Sequence, residues 1–210
     1  GAELSVHEEY AGRVHAHDCL IAAQLNHSGK VSQEDVIAGR PILVPSVPPK
    51  AGSGMFRLLS DAEIAHFIKS GGPDGKGPRY QVMERADISR VIDQFAEAAE
   101  RCQRAGFDAV EVHSGHGYVL ASFLSRAINH REDEYGGCLE NRARFLTDVI
   151  RRIKIRCGSD FPVIVRLDAK EYRIDDGITP DDLVETAKLA CQAGADAIDV
   201  SAYGNTSIGI

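Results

Sequence analysis

Apolar positions along the chain fall into two alternating patterns. Phe161-Pro-Val-Ile-Val-Arg-Leu167 is a short β-branched run, which predicts a strand buried on both faces of a parallel sheet. Thr179-Pro180-Asp181-Asp182 predicts a helix start, with a Thr cap, Pro at the first helical position and acids at the positive end of the dipole. Leu183, Val184, Ala187, Ala190 and Cys191 recur at helical spacing, Gly194 stops the segment, and Ala195-Asp-Ala-Ile-Asp-Val200 reads as the next strand. Earlier, Asp87 is expected to cap a helix whose apolar face is Ile88, Val91, Ile92, Phe95, Ala98, Ala99 and Cys102, with Gly106 at its end. Leu139, Ala143, Leu146, Val149, Ile150 and Ile153 predict a third helix. A fourth strand is expected at Leu20-Ile-Ala-Ala-Gln-Leu25, after a helix over about residues 5–17. The long connection from there to Asp87 holds Pro41, Pro45, Pro48, Pro49, Pro73 and Pro78, and a short helix opened by a capping box of Ser60 and Glu63. A connection of that length on the catalytic side of a sheet covers or shapes a pocket.

Ala105-Gly-Phe-Asp-Ala-Val-Glu-Val-His113 and Ala193-Gly-Ala-Asp-Ala-Ile-Asp-Val-Ser201 match almost residue for residue. This is one αβ unit used twice, a helix end, a glycine and a buried strand. Repeated units of this kind predict an α/β fold with a parallel sheet, either a barrel or a doubly wound fold. No GxGxxG or GxxxxGK[ST] follows a strand, which disfavours the nucleotide-binding doubly wound alternative. The repeat also aligns His113 with Ser201 at the C-terminal ends of two strands, the face that carries the active site of a (β/α)8 barrel.

Composition narrows the classes. The 210 residues hold 24 Lys+Arg against 31 Asp+Glu, a formal charge of −7, so no Lys/Arg surplus is available for a nucleic-acid partner. No apolar run reaches the roughly 18 residues of a membrane span. No signal peptide is visible in GAELSVHEEY, and five cysteines (Cys19, Cys102, Cys138, Cys157, Cys191) without CxxC spacing are expected in a reducing cytoplasm.

The densest chemistry is His113-Ser-Gly-His116-Gly-Tyr118, just past a buried strand. Imidazole N–H groups can hold a carbonyl or oxyanion, and a tyrosine of pKa about 10 remains a proton donor at neutral pH. The same residues also fit a turn with a capping histidine, or an HxxH metal pair, for which no third ligand stands at a suitable spacing.

This block resembles a known family. Gly106 to Tyr118, then Phe123-Leu-Ser125, then Asn129-His-Arg131-Glu-Asp133-Glu-Tyr135-Gly-Gly137-Cys-Leu-Glu140-Asn141-Arg142-Ala-Arg144-Phe145 is similar to the most recognisable block of the Old Yellow Enzyme family of flavin-dependent ene-reductases. Gln24-Leu-Asn-His27-Ser-Gly29-Lys30 resembles its QLxHxGR stretch, and Val163-Ile-Val-Arg166-Leu its arginine-bearing strand. His at the second position of HxxHxY looks like the bacterial, 2,4-dienoyl-CoA-reductase-like branches. The resemblance implies an FMN-dependent ene-reductase in which hydride passes from NADH or NADPH through flavin to the C=C bond of an α,β-unsaturated carbonyl compound, an enone or a dienoyl thioester. It implies that Gln24 and Arg166 hold FMN, with His113 beside them. His113 and His116 would bind and polarise the substrate carbonyl, and Tyr118 would protonate the α-carbon. Arg166, within an apolar strand, must meet an acid such as Asp168 or an anionic ligand. Arg131, Asp133, Glu140, Arg142 and Arg144 read as a structural salt-bridge cluster, Tyr135-Gly136-Gly137 as a turn, and His27 as a residue that orients backbone. Three positions depart from the family pattern: Arg126 stands where Pro is usual, Cys138 where Ser is common, and Lys30 where Arg is usual.

The implied fold is a (β/α)8 TIM barrel, incomplete over residues 1–210. About four βα units are expected, corresponding to strands 3 to 6, against the roughly 250 residues of a whole barrel. Phosphate-binding residues of the flavin site, and any cysteines for a 4Fe-4S cluster, would lie outside the chain. Two alternatives stand beside this reading. One is a metal-dependent TIM-barrel hydrolase, for which His15-Ala-His17 imitates an HxH motif but precedes a strand instead of ending one. The other is a non-catalytic barrel fragment, since four units leave two open edges; pairing of two copies as a homo-oligomer would close them.

Overall fold

The computed structural model describes residues 2–47 and 77–204. Pro48, Pro49, Pro73 and the expected Ser60–Glu63 capping box lie outside the described residues. The elements run α1 (Ala2–His15), β1 (Ala22–Leu25), a 3-10 turn (Gly29–Val31), α2 (Gln33–Ile37), β2 (Ile42–Val44), β3 (Tyr80–Val82), α3 (Arg85–Arg104), β4 (Ala109–Ser114), α4 (Val119–Leu124), α5 (Leu139–Cys157), β5 (Val163–Tyr172), α6 (Pro180–Ala193) and β6 (Ala197–Gly204). Strands β1, β4, β5 and β6 form one sheet in that order, and every neighbouring pair is parallel. Strands β2 and β3 make a separate parallel pair. Four consecutive parallel strands with helical crossovers are the open segment of a barrel.

Alternation along the strands divides the sheet into two faces. Val110, Val112, Val163, Val165 and Leu167 are buried against Ile88, Val91, Phe95 and Ala99 of α3, Phe145, Leu146, Val149, Ile150 and Ile153 of α5, and Ala190 and Ala193 of α6. Burial of a side chain of this size stabilises by about 1.5–3 kcal/mol, so this layer supplies the main driving force. The opposite face carries Gln24, Glu111, His113, Arg166, Asp168, Asp199 and Ser201, an alternation fixed by the register.

The internal repeat is structural. Gly106 and Gly194 follow helix ends at φ +87° and +111°, a region open to glycine without steric cost, and each strand starts three residues later. The aspartate of each repeat then clamps the neighbouring strand. Asp108 accepts from the Ile21 amide at 2.8 Å and meets His15 at 2.9 Å. Asp196 accepts from the Val163 amide at 2.7 Å and meets Lys154 at 2.7 Å. A carboxylate at the start of one strand thus fixes the start of the neighbouring, earlier strand, with a basic residue from a preceding helix balancing it.

Two local expectations need correction, and one helix is new. Helix α3 starts at Arg85, so Asp87 sits in its first turn, where its carboxylate accepts from the Glu84 amide at 3.2 Å; it is not the cap. Helix α4 was not foreseen, because all six of its residues are buried and the segment shows no polar face. The expected salt-bridge cluster is only partly one. Arg131 pairs with Asp133 at 2.5 Å, but Arg144 donates to the Glu134 carbonyl and Arg142 reaches out of the cluster. Arg142, 3% exposed, donates to the carbonyls of Leu124 at 2.7 Å and Gly137 at 2.6 Å, and to Asp182 at the start of α6 at 3.0 Å. Tyr135-Gly136-Gly137 is a turn as expected, with Gly137 at φ +78°.

Arg142→Ala leaves the Leu124 and Gly137 carbonyls without this donor in the interior and takes from Asp182 its closest cation, leaving that carboxylate to its Thr179 donors. Urea denaturation of the full-length protein should show a loss of about 3 kcal/mol; a loss below about 1 kcal/mol would contradict this role.

Candidate active site

The C-terminal ends of β4, β5 and β6 bring the chemistry together. His113, 5% exposed, lies in register beside Arg166, and Arg166 beside Asp199. Asp168 pairs in register with Ser201, and a one-residue irregularity follows, so that Glu171 comes opposite Tyr203. Such a bulge keeps Glu171, three residues on, on the same face as Asp168. The loop after β4 then turns back through Gly115, His116 and Gly117 into Tyr118, the residue that precedes α4. Across from it, the loop after β1 is docked by its own backbone: the Val119 amide donates to the His27 carbonyl at 3.0 Å. His27 in turn accepts from the Gly29 amide at 3.2 Å, which is the backbone-orienting role expected of it.

Asp168 organises the loop. It is 2% exposed, and it accepts from the His116 amide at 2.6 Å and from the Ser201 hydroxyl at 2.9 Å. His116 sits at φ +55°, a conformation that costs energy for a side chain with a Cβ and is held here by that amide bond. A Cβ at position 115 would lie 2.8 Å from Asp168 Oδ1, so the close passage of the loop requires Gly115. Burial pushes the Asp168 carboxyl above its ordinary range, while its two donors pull the other way.

Hydrogen-bond direction fixes the imidazole pair. His113 Nδ1 accepts from the Gly115 amide at 3.1 Å, so the neutral ring carries its hydrogen on Nε2. That hydrogen faces His116 Nδ1 at 3.1 Å. A neutral His116 then keeps its hydrogen on Nε2, which lies 3.8 Å from Asp168 Oδ1. The two rings are therefore bonded to one another rather than set as two parallel free donors. Burial, then His116 and Arg166, lower the His113 pKa to about 4, so this ring is neutral over the physiological range. Tyr118 completes the cluster with its ring edge-on to His113 at 4.8 Å.

On the same face, Gln24 is exposed and donates to Glu111 on the neighbouring strand. Arg166 meets Asp199 at 3.3 Å, not Asp168 as expected, because Asp168 is one register step further along and turned into the loop. Its Nε is buried without a hydrogen-bond partner. His113, His116, Tyr118 and Arg166 are thus brought together, and Gln24 stands on the same face two strands from Arg166. Ser201 stands in the C-terminal half of β6, on the side where the repeat places it, whereas Glu111, Asp199 and the loop-holding role of Asp168 carry no motif. Their only sequence signal is the alternation of acids and hydroxyls with apolar residues in Ala109–His113, Arg166–Asp168 and Asp199–Ser201. His15 of the HxH pair bonds Asp108 at the N-terminal side of the sheet, away from this cluster. No described helix is long and apolar enough to cross a membrane.

Residues 3–202 match the model of the NADH:flavin oxidoreductase / NADH oxidase family. The chain is 35% identical over 184 residues to an NADPH dehydrogenase of Clostridium acetobutylicum, covering 88% of this chain and 46% of that protein. It is 35% identical to a cinnamate reductase of Clostridium sporogenes, over 95% of this chain and 29% of that one. Among solved structures, an old yellow enzyme homologue from Zymomonas mobilis superposes with a TM-score of 0.73 at 28% identity, over 95% of this chain and 52% of that chain. The chain spans less than half the length of these curated relatives. With the fold, the motif and the family model in agreement, this chain belongs to the NADH:flavin oxidoreductase / NADH oxidase family, the Old Yellow Enzyme group that its own histidine-tyrosine motif predicts.

Proposed function

We propose that this chain carries the substrate end and part of the flavin edge of an NAD(P)H-dependent ene-reductase acting on activated alkenes. One observation carries the reading. The His113–His116–Tyr118 cluster stands on the same sheet face as Arg166, and Arg166 keeps a buried Nε without a partner directly beside His113. A buried guanidinium nitrogen left unpaired is costly, and a planar, acceptor-rich and electron-accepting ring system such as FMN supplies what it lacks. When bound, FMN supplies hydride transfer from NADH or NADPH to an electron-poor carbon.

The residues of this chain do the rest. Arg166 holds the acceptor edge of the flavin and gives it a fixed positive charge. Gln24, an amide with donor and acceptor sides, holds the pyrimidine edge once it turns from Glu111. Once the two rings part, the Nε2–H of neutral His113 and the ring of His116 hold the substrate carbonyl oxygen, which makes the β-carbon electrophilic. Tyr118, whose ring lies against His113, delivers a proton to the α-carbon from its hydroxyl. The neutral state of His113 suits this role, since it donates a hydrogen bond without giving up its proton. A relative named as a cinnamate reductase supports an activated-alkene substrate. The metal-dependent hydrolase alternative loses its ground with His15 tied to Asp108.

Four outcomes are expected of the full-length protein. It should show flavin absorbance, and Arg166→Ala should lower FMN occupancy; a protein binding no flavin under any condition would overturn the proposal. Tyr118→Phe should slow alkene reduction by about 10²–10⁴-fold in stopped flow, with flavin reduction by NAD(P)H slowed far less. Equal slowing of both half-reactions would remove Tyr118 as the proton donor. Asp168→Asn places an amide N–H against one of two donors, so KM for an enone should rise about tenfold or more with FMN affinity retained. Because the His113 pKa is lowered on folding, its protonation opposes the native site as pH falls from about 6.5 toward 4. Stability of the full-length protein to urea should therefore fall across that window, and His113→Gln should flatten this part of the stability profile.

A further inference from the structure

Beyond the imidazole pair, the rim of the sheet carries one cation that the reading above does not use. Lys30 lies in the 3-10 turn after β1, and the docking of that loop on Val119 carries it across to the loop after β4. Its ammonium stands where a Cβ on Gly117 would approach within 3.0 Å, between His116 and Tyr118 in the chain. The Tyr203 ring meets the same position at 3.3 Å, its centroid lies 5.7 Å from the ammonium, and Tyr203 faces His116 with centroids 6.4 Å apart. Lys30 is half-buried, and burial lowers its pKa. Among the described residues no carboxylate pairs with it. Glu171 acts on it from beyond ion-pair distance, and Glu171 Oε2 already accepts from the Ser125 hydroxyl at 2.6 Å and the Ile178 amide at 2.9 Å. A partly desolvated ammonium backed by an aromatic ring, with no counter-ion, favours an anion strongly and a neutral group weakly.

We propose that Lys30 is the specificity residue of this site and that the alkene it selects carries a carboxylate, bound by the Lys30 ammonium at the rim beside His116. The proposal rests on the ene-reductase reading and names its substrate class. Chemistry gives the contact a purpose. A conjugated carboxylate bearing its full negative charge activates an alkene poorly toward hydride, and an ammonium against one oxygen offsets that charge while the histidines take the other. Lysine suits this better than a bidentate guanidinium, since a point charge leaves the second oxygen free for the imidazoles. Gly117 at φ +70° has no side chain, which leaves the ammonium its place beside the Tyr203 ring.

The test is calorimetric titration of the full-length holoenzyme with cinnamate and with cinnamamide, in wild type, Lys30→Ala and Lys30→Arg. Lys30→Ala should weaken cinnamate roughly 10- to 100-fold and cinnamamide far less, while Lys30→Arg keeps most of the acid affinity. In wild type the preference for acid over amide should shrink as salt rises from about 0.05 to about 0.5 M. This arm needs no variant, so the proposal stays exposed if Lys30→Ala fails to fold. Equal weakening of both ligands, or a wild type that binds the amide as tightly as the acid at low salt, would overturn it. Wild-type reduction of the neutral 2-cyclohexenone separates the two levels. Enone turnover without acid preference overturns the role of Lys30 alone. Acid preference lost in Lys30→Ala, without any enone or acid turnover, overturns the ene-reductase reading and leaves Lys30 as an anion site.

Discussion

A buried carboxylate in the second half of a central strand sets the terms for everything around it. Asp168 is withdrawn from water, and no lysine or arginine neutralises it by direct contact among the described residues. Its burial is tolerable only with hydrogen bonds, and the two that it accepts come from different elements: the His116 amide in the loop after β4 and the Ser201 hydroxyl on β6. The first holds a residue at positive φ. The second ties the edge strand to the centre. Position of the imidazole pair, the need for Gly115 and the direction of the loop into Tyr118 all follow from satisfying that one charged group.

Much of the frame was legible because it obeys local rules. Helices α3, α5 and α6 carry apolar stripes against a polar background, and the two copies of the helix–glycine–strand unit announce a parallel sheet by repetition. Helix α4 escaped for the opposite reason: Val119-Leu-Ala-Ser-Phe-Leu124 is buried on every side, so it has no period to read. Strands β2 and β3 escaped because three residues are too short to show alternation. Asp87 was misplaced as a cap because an acid in the first turn and an acid at the cap carry the same dipole signal.

The site was legible as a set of residues but not as a set of bonds. His113, His116 and Tyr118 lie within six positions, so chain proximity alone brings them together, and the resemblance gave Gln24 and Arg166. The partners are another matter. Asp168 and Ser201 are separated by 33 positions, and Gln24 and Glu111 by 87; register, not sequence distance, makes them neighbours. An arginine in an apolar strand demands an acid, but which acid depends on which residues come level across β5 and β6. That geometry chose Asp199 for Arg166 and freed Asp168 for the loop. Lys30 looked like a minor departure from the family pattern until the docking of two loops carried its ammonium to Gly117.

The polar face also explains how such a site can be specific without being rigidly preformed. Gln24 is held by Glu111, Arg166 by Asp199, and the two histidines by each other. Each partner is already engaged, so at these contacts a ligand gains one only by replacing another. The net gain per exchange is then a difference between two hydrogen bonds, about 1 kcal/mol or less for neutral partners, and larger only where charge is better matched. A ligand that merely fills the space gains little. One that presents acceptors to Arg166, an oxygen to the histidines and a negative charge to Lys30 at once gains at every position, and the groups left without good partners, Arg166 Nε and the Lys30 ammonium, are where the discrimination is greatest.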